Sequence, residues 1–119
     1  MQFTIFVYEP PHDFDARTDP GRAAPYWGAW TAYAQALVEA GVMVSGNGLQ
    51  QPGAAATLRL RDGQRLVQDG PYADTKEQLG GYFVIDVPDL DAALDWAARC
   101  PGAPTGVIEV RPVLPMAPS

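Results

Sequence analysis

The segment GYFVIDV at residues 81–87 is the part of the sequence that decides the fold. Its residues are apolar on both faces and rich in aromatic and β-branched types, which predicts a central strand covered on each side. A second run of this kind, FTIFVY at residues 3–8, predicts another central strand near the start of the chain. The two runs together indicate one sheet whose middle comes from distant parts of the sequence.

The residues that follow the 81–87 strand predict a helix. Asp89 comes after Pro88 in the position of an N-cap, and Asp91 falls in the first turn, where a negative charge is favourable. Pro101 ends the helix near Cys100. The predicted buried face of this helix consists of Leu90, Ala93, Leu94 and Ala97.

A longer helix is predicted from Pro25 to Ala40. Pro25 suits the first turn, and Gly41 suits the left-handed position just beyond the end. Before it, residues 10–24 are rich in Pro, Asp and Gly and predict a loop. The predicted buried face of the helix consists of Trp27, Trp30, Ala34, Leu37 and Val38.

The remaining segments predict four shorter strands. Residues 42–44 form one, broken by Gly46-Asn47-Gly48, and residues 107–113 form the last. Residues 56–61 and 65–68 flank Asp62-Gly63, a dipeptide typical of a tight hairpin turn. A loop is expected at residues 69–79, before the second central strand.

This order of elements predicts a single α+β domain over residues 1–119. The plan is the ferredoxin-like split βαβ with an added β-hairpin, in which an antiparallel sheet carries two helices on one face. The other apolar face must meet something else. A second copy of the chain, giving a homodimer, is the expected solution.

Composition excludes several classes of partner. The net charge is −6, and the eight basic residues are scattered, so neither nucleic acid nor an anionic membrane is an expected partner. No apolar run is long enough for a membrane span, and the first residues do not resemble a secretory signal, so we expect a cytoplasmic protein. The one cysteine, Cys100, excludes an intrachain disulfide.

The sequence resembles a known family over most of its length. The run DGPYADTKEQLGGYFVIDVPDLDAALDWAARCP at residues 69–101, with IEVRPV at 108–113, is similar to the DGPF branch of the YCII-related family. Its "DGPFAETKE" motif is matched with Tyr72 in place of Phe and Asp74 in place of Glu. The resemblance implies a dimeric α/β barrel-like assembly with a cleft in each subunit, but no particular reaction.

The motif loop holds the densest cluster of reactive groups in the chain. We expect Lys76 to orient a substrate and Asp69 or Glu77 to act as a general base, with Thr75 as a binding residue. Turn chemistry is the alternative, because Asp69-Gly70-Pro71 is a good turn and Asp74 or Thr75 can cap a short helical turn.

Aromatic residues are the other candidates for binding a ring compound. Tyr8, Trp30, Tyr72 and Tyr82 come from segments that the topology should bring to one cleft. The alternative is that most of them pack in the core or in a dimer interface.

Other reactive residues carry little functional signal. The wider family has a His and an Asp on its first helix, and this chain has Trp30 and Glu39 there, which puts the family's proton-transfer mechanism in doubt. His12 lies in the predicted loop without enough neighbours for a zinc site, and Cys100 is expected to be inert. Neither a metal nor a cofactor is predicted.

Two functions follow from these features. The first is a small-molecule-binding dimer with lyase- or isomerase-type acid-base activity on a ring or an acidic metabolite. The second, which the resemblance implies, is a non-catalytic ligand-sensing or protein-binding accessory to an extracytoplasmic-function sigma factor. The type of fold does not choose between them.

Overall fold

The computed structural model describes residues 1–116. Its strands are β1 (Gln2–Glu9), β2 (Met43–Gly48), β3 (Ala56–Arg61), β4 (Gln64–Asp69), β5 (Gln78–Asp86) and β6 (Val107–Pro112). Its α-helices are α1 (Pro11–Ala16), α2 (Ala23–Glu39) and α3 (Leu90–Ala98), and a 3₁₀ turn covers Pro52–Ala54.

Four strands form one antiparallel sheet in the order β2-β5-β1-β6. β1 and β5 are the central strands, paired from Gln2↔Asp86 to Glu9↔Gln78 with a bulge at Val7/Tyr8. These are the two runs that are apolar on both faces. The order is that of the split βαβ plan, so the predicted α+β, ferredoxin-like fold with an added hairpin is confirmed.

The core lies between the sheet and the two longer helices. Phe3, Ile5 and Val7 alternate along β1 toward the helices and are at most 1% exposed. Ile85 of β5 and Leu37 of α2 meet them there and are fully buried. Burying side chains of this size stabilises the fold by roughly 1.5–3 kcal/mol each, so this layer holds the molecule together.

The buried faces of both helices are rotated from the predicted ones. Trp27 and Val38 of α2 are 45% and 60% exposed. The residues that face the core are instead separated by four, three and four positions along the helix. In α3, Leu90 and Leu94 are each 47% exposed, since the helix turns Trp96 toward the core instead. Cys100, two residues beyond the end of α3, is also buried there. The inward stripe of α2 consists of Tyr26, Trp30, Tyr33 and Leu37, and that of α3 includes Ala93 and Ala97.

Two local predictions were wrong. The predicted loop at residues 10–24 contains α1, because Pro11 fits a first helical turn and Phe14 and Ala16 bury against the sheet. The glycines of residues 46–48 do not break β2, since their backbone continues to pair with β5. Gly46 is required there because a Cβ would lie 2.7 Å from the Phe83 ring.

The predicted hairpin forms a separate two-stranded sheet, which we call the arm (residues 56–69). Its turn is at Asp62 and Gly63, whose φ angles of 50° and 74° are those of a type I′ turn. The radius of gyration is 16.2 Å, against about 13.5 Å expected for a compact chain of this length. The arm therefore projects from the body that the four-stranded sheet and the helices form.

The sheet face away from the helices, which we call the open face, carries side chains that are only half-buried. Thr4, Phe6 and Tyr8 of β1 point to it and are half-buried. Tyr82 and Val84 of β5 pair with Phe6 and Thr4 on the same face. No helix among the described residues packs on it, as the two-helix plan predicts.

Candidate functional site

A cavity of about 270 Å³ lies between α2 and the helix-covered side of the sheet. We call it the α2 pocket. Its walls come from β1, β2, β5, α2 and the residue after α1, so five segments of the sequence meet there. The residues that line it are Val7, Glu9, Arg17, Tyr26, Trp27, Trp30, Thr31, Ala34, Gly46, Asn47, Gly48, Gly80, Gly81, Tyr82 and Phe83.

A buried carboxylate forms the polar end of this pocket. Glu9 is the last residue of β1 and is 2% exposed. The Tyr26 hydroxyl lies 3.0 Å from its Oε1 and 2.7 Å from its Oε2, and donates to the carboxylate. A buried charge is costly unless it is paired and hydrogen-bonded, and Glu9 has both kinds of partner.

The charge partner of Glu9 is Arg17, the residue that follows α1. Its Nη2 lies 3.3 Å from Glu9 Oε1 and also donates to the Gly80 carbonyl at 3.0 Å. Its Nε donates to the Tyr26 hydroxyl at 3.2 Å, and its Nη1 donates to the Leu49 carbonyl. The guanidinium therefore joins four segments of the chain while it neutralises the carboxylate.

Aromatic rings surround the guanidinium. Its Cζ lies 4.8 Å from the Phe14 ring centre and 5.5 Å from that of Trp27. The Trp27 indole donates back to the Arg17 carbonyl at 3.2 Å. Cation–π contacts of this kind fix the orientation of an arginine side chain. Arg17 is therefore held in place by contacts with aromatic rings as well as by its hydrogen bonds.

Gly80 makes the close approach of this ion pair possible. A Cβ at position 80 would lie 2.6 Å from Glu9 Oε1 and 3.0 Å from Arg17 Nη2. Any side chain there would have to displace the carboxylate. Gly80, which comes shortly after the motif loop in the sequence, thus has a packing role at the pocket.

The rest of the pocket is apolar and aromatic. The Trp30 and Phe83 rings stack, with centroids 6.1 Å apart and planes inclined by 15°. Val7 and Ala34 complete the wall beside them. A polar end joined to aromatic walls is the usual composition of a small-molecule site.

The phenol at the polar end of the pocket, Tyr26, is in its neutral, protonated form. Burial, and then the hydrogen bond to Glu9, raise the pKa of Tyr26 to about 12. Tyr26 therefore keeps its proton near neutral pH and serves as a donor. Glu9 is the proton acceptor of the pair.

The motif loop does not line the α2 pocket. Asp69 and Lys76 are exposed, and Tyr72 is 78% exposed, with the Arg59 guanidinium 5.5 Å from its ring centre. Thr75 Oγ1 donates to the Glu77 carbonyl at 2.6 Å, and the Gln78 side chain donates to the Ala73 and Thr75 carbonyls. Residues 70–77 contain no helical turn, so the alternative of a capped turn was wrong. The catalytic and binding roles of Asp69, Lys76, Glu77, Tyr72 and Thr75 stay predictions.

The predicted aromatic residues divide between two sides of the sheet. Trp30 lies in the wall of the pocket, and Tyr82 lies at its border. The Tyr82 hydroxyl accepts a hydrogen bond from the Asn47 side chain at 2.9 Å. Tyr8 points to the open face, opposite Leu79 and Val107, and does not line the pocket.

Sequence reasoning missed Glu9, Arg17 and Tyr26. One signal for Glu9 was available, because it continues the inward phase of Phe3, Ile5 and Val7 along β1. A carboxylate at a position whose predecessors are all buried indicates a functional or paired group. Arg17 and Tyr26 gave no such signal, since one lay in the predicted loop and the other beside the predicted helix face.

The remaining reactive groups are placed as follows. Burial raises the pKa of the Cys100 thiol to about 11, which makes it unreactive at neutral pH. Glu39 is exposed at the end of α2, and the His12 ring contacts Arg22 on the surface. Within residues 1–116, no three His, Cys, Asp or Glu side chains gather as a metal site, and no helix is long and apolar enough to cross a membrane.

Comparison with known proteins agrees with the fold. The model of the YCII-related domain matches residues 1–117. An uncharacterised protein of Rhizobium meliloti (strain 1021) is 46% identical over 85 residues, which is 70% of this chain and 68% of that protein. A solved structure similar to this one is the 5-chloro-2-hydroxyhydroquinone dehydrochlorinase of Burkholderia phenoliruptrix AC1100 in complex with 2,5-dihydroxybenzoquinone. Its TM-score is 0.55 at 17% identity, with 96% of this chain and 94% of that chain covered.

Proposed function

Given that this chain belongs to the YCII-related family, we propose that it binds a neutral hydroxylated ring compound in the α2 pocket and performs lyase- or isomerase-type acid-base chemistry on it. The observation that carries the proposal is the buried Glu9 carboxylate at the end of an aromatic-walled cavity. A buried, oriented acceptor next to space for a ligand is the arrangement that general-base catalysis needs.

The size of the pocket supports a single ring. A cavity of roughly 150 Å³ holds benzene. The α2 pocket, at about 270 Å³, has room for one six-membered ring with a few substituents. The Trp30 and Phe83 rings offer faces for stacking on such a ring.

Charge in the pocket supports a neutral compound over an acidic one. The cation that lines the pocket, Arg17, already pairs with Glu9 and is further engaged by the Gly80 and Leu49 carbonyls. An incoming carboxylate would have to displace Glu9 from Arg17 or lie beside a second buried anion, and both are unfavourable. Hydroxyl groups, which donate and accept, fit the Tyr26 and Glu9 pair without that cost.

A chemical step can be written with these groups. Glu9 accepts the proton of a ring hydroxyl, directly or through Tyr26, and the electron pair of the broken O–H bond passes into the ring. There the pair binds a proton at a ring carbon, which gives the keto tautomer and is an isomerisation. When a second ring hydroxyl then loses its proton to the base, its electron pair passes through the ring and expels a leaving group from that tetrahedral carbon, which is a lyase reaction. Arg17 stabilises the negative charge that forms on the ring oxygen.

The similar solved structure provides a precedent on this fold. That protein is a dehydrochlorinase in complex with a dihydroxybenzoquinone, so it acts on a hydroxylated ring. At 17% identity the likeness concerns the fold, and the ligand of that protein indicates a class of compounds to test.

We propose in addition that the protein is a homodimer formed through the open face. Phe6, Tyr8, Tyr82 and Val84 present an apolar surface that no helix of the described chain covers. The same surface on a second copy would bury these side chains. Among these four, Tyr82 alone also lines the α2 pocket, so the other walls of the pocket would stay accessible.

Ligand binding and turnover with Glu9→Gln test the proposed function. Catechol, hydroquinone and chlorinated hydroquinones are compared with benzoate by thermal shift and calorimetry, and active compounds are followed for turnover. A ligand at 100 times its dissociation constant stabilises by about 2.7 kcal/mol. We expect the hydroxylated rings to stabilise the wild type and benzoate to have no effect. Turnover in Glu9→Gln should fall by about 10² to 10⁴.

The matched control is Glu39→Gln, which removes an exposed carboxylate at the end of α2. It should bind and turn over the compound as the wild type does. Equal turnover in Glu9→Gln and Glu39→Gln would contradict the assigned role of Glu9. Binding without turnover in the wild type would leave a ligand sensor, the alternative associated with sigma factors, as the better function.

A further inference from the structure

Glycine occupies four sheet positions that line the α2 pocket. Gly46 and Gly48 lie in β2, and Gly80 and Gly81 lie in β5. Elsewhere on this side of the sheet, side chains such as the fully buried Ile5 fill the space beneath the helices. Glycine weakens a strand because it has no side chain to pack. The pocket therefore exists where the sheet lacks side chains.

Contacts within the chain explain three of these glycines. A Cβ at Gly46 or Gly80 would lie 2.7 or 2.6 Å from the nearest side-chain atom. A Cβ at Gly81 would lie 3.0 Å from the Asn47 carbonyl oxygen, which is closer than an ordinary contact. These three positions require glycine for packing reasons alone.

Gly48 has no such reason. A Cβ there would meet nothing within 4 Å, and the φ angle of Gly48 lies outside the left-handed region. Its neighbour Asn47 donates to the Tyr82 hydroxyl on the open face, so position 48 faces the helices. The side chain that Gly48 lacks would therefore project into the α2 pocket.

The bare backbone at this position adjoins the polar end of the pocket. Gly48 pairs with Gly81 across two neighbouring strands, which are about 4.8 Å apart. The next residue, Leu49, donates its amide to the Gly80 carbonyl at 2.9 Å, and its own carbonyl accepts from Arg17. A ring that lies on the two paired glycines would consequently have one edge beside the buried ion pair.

We propose that Gly48 determines the specificity of the α2 pocket, by letting a planar ring lie directly on the strand backbone opposite α2. Glycine allows a backbone to approach a ligand closely. The other side of the pocket is formed by Trp27 and Trp30, which offer aromatic surfaces to the ring. The pocket then selects aromatic or quinoid rings over saturated rings, which are puckered and thicker. This inference rests on the proposed function, since it names what the same site selects.

Two diols and two valine variants test this selection by calorimetry. Catechol and cis-1,2-cyclohexanediol carry the same pair of hydroxyl groups on a flat and on a puckered ring. The wild type should bind catechol at least about tenfold more tightly. Gly48→Val should weaken catechol binding by about tenfold or more, because a branched side chain fills space that a single methyl group would leave partly open.

Ser45→Val is the matched control. Ser45 lies in the same strand, pairs with Val84 of the open face and does not line the pocket. Its affinity for catechol should stay within about threefold of that of the wild type. Valine is favourable in strands, so both variants should resist urea at least as well as the wild type.

The outcomes separate this inference from the proposed acid-base function. Wild-type affinity for catechol in Gly48→Val, equal wild-type affinities for the two diols, or equal losses in both valine variants would overturn the inference alone. So would a destabilised Gly48→Val, because position 48 would then require glycine for packing. Selective binding with full turnover in Glu9→Gln would instead overturn the acid-base function and leave the specificity standing. If no hydroxylated ring binds, both are overturned.

Discussion

Gly80 shows how a residue without a side chain can determine a site. It stands where a Cβ would meet both members of the Glu9–Arg17 pair, and it allows the strand β5 backbone to accept from the guanidinium. The carboxylate could move only by giving up its contacts with Arg17 and Tyr26. The identity of this residue therefore bears on stability and on ligand binding together.

Replacing Gly80 with alanine should disrupt the polar end of the pocket. Because the added Cβ would overlap Glu9 Oε1, we expect Gly80→Ala to lower the free energy of unfolding by about 1–3 kcal/mol. Urea unfolding and calorimetry check the loss of stability and of ligand binding. Gly48→Ala is the matched control, since position 48 also lines the pocket but a Cβ there meets nothing within 4 Å. Equal behaviour of the two variants would contradict the steric explanation.

Tyr26 should make the stability depend on alkaline pH. Its pKa is raised to about 12 in the folded protein from an ordinary value of 10.0, mainly by burial, so the folded state holds the proton more tightly than the unfolded state. The stabilising contribution is thus complete below about pH 10 and is lost as the pH rises toward about 12.

The difference in unfolding free energy between the wild type and Tyr26→Phe measures this effect. We expect that difference to shrink between about pH 10 and pH 12 in urea unfolding experiments. Tyr72→Phe is the control because Tyr72 is 78% exposed. A constant difference over this range for Tyr26→Phe would show that the folded protein does not raise the pKa of Tyr26.

At the scale of the elements, local chemistry explains where the helices and turns begin and end. The Asp89 carboxylate accepts from the Ala92 amide at 2.9 Å, as expected for an N-cap, and Gly41 has a φ of 73° just after α2. Both features depend on residues within one helical turn, and both were predicted. The helix faces were less well predicted because a broad apolar stripe fits several rotations, and packing against the sheet selects one of them.

Removing the cap of α3 gives a prediction at this scale. Asp89→Ala leaves the Ala92 amide without its acceptor and should cost about 1 kcal/mol of unfolding free energy. Asp91→Ala is the comparison, since Asp91 acts on the helix only through its charge, which is worth a few tenths of a kcal/mol at the surface. Chemical denaturation of both variants measures the costs. An equal cost would mean that charge, and not the hydrogen bond, stabilises the start of α3.

At the scale of the whole molecule, the main feature is that two helices cover one side of a four-stranded sheet. The principal extents are 51, 47 and 19 Å, so the chain is thin in the direction across its layers. A sheet with one helix layer leaves the open face to a further partner. The proposed homodimer fills that need without covering the α2 pocket.

A lysine on the open face should separate the subunits. Val84 is half-buried on the central strand β5, and Val84→Lys would place a charge in the proposed interface. We expect the mass in sedimentation equilibrium to fall from dimer to monomer while the circular dichroism spectrum stays native. Leu94→Lys adds the same charge on the outer side of α3, where Leu94 is 47% exposed, and should remain dimeric. A dimeric Val84→Lys protein would place the interface elsewhere.

Much of the fold was determined by the sequence itself. The two runs that are apolar on both faces identified the central strands, Asp62-Gly63 identified the hairpin turn, and the proline and glycine around α2 identified the longest helix. Each of these signals arises from residues within a few positions of one another. Local dihedral preferences and side-chain periodicity are sufficient to encode them.

Only the tertiary structure decided where the candidate site lies. Glu9, Arg17, Tyr26 and Gly80 come from a strand end, the residue after a helix, a helix start and a second strand. Apart from the inward phase of Glu9 along β1, no signal within these segments indicates that the residues meet. Their meeting depends on the register of β1 against β5 and on the rotation of α2, which are settled by packing over the whole core. The charged motif loop was conspicuous in the sequence, yet Asp69, Tyr72 and Lys76 are exposed and none of them lines the pocket. Carbonyls of the loop accept hydrogen bonds from nearby side chains instead.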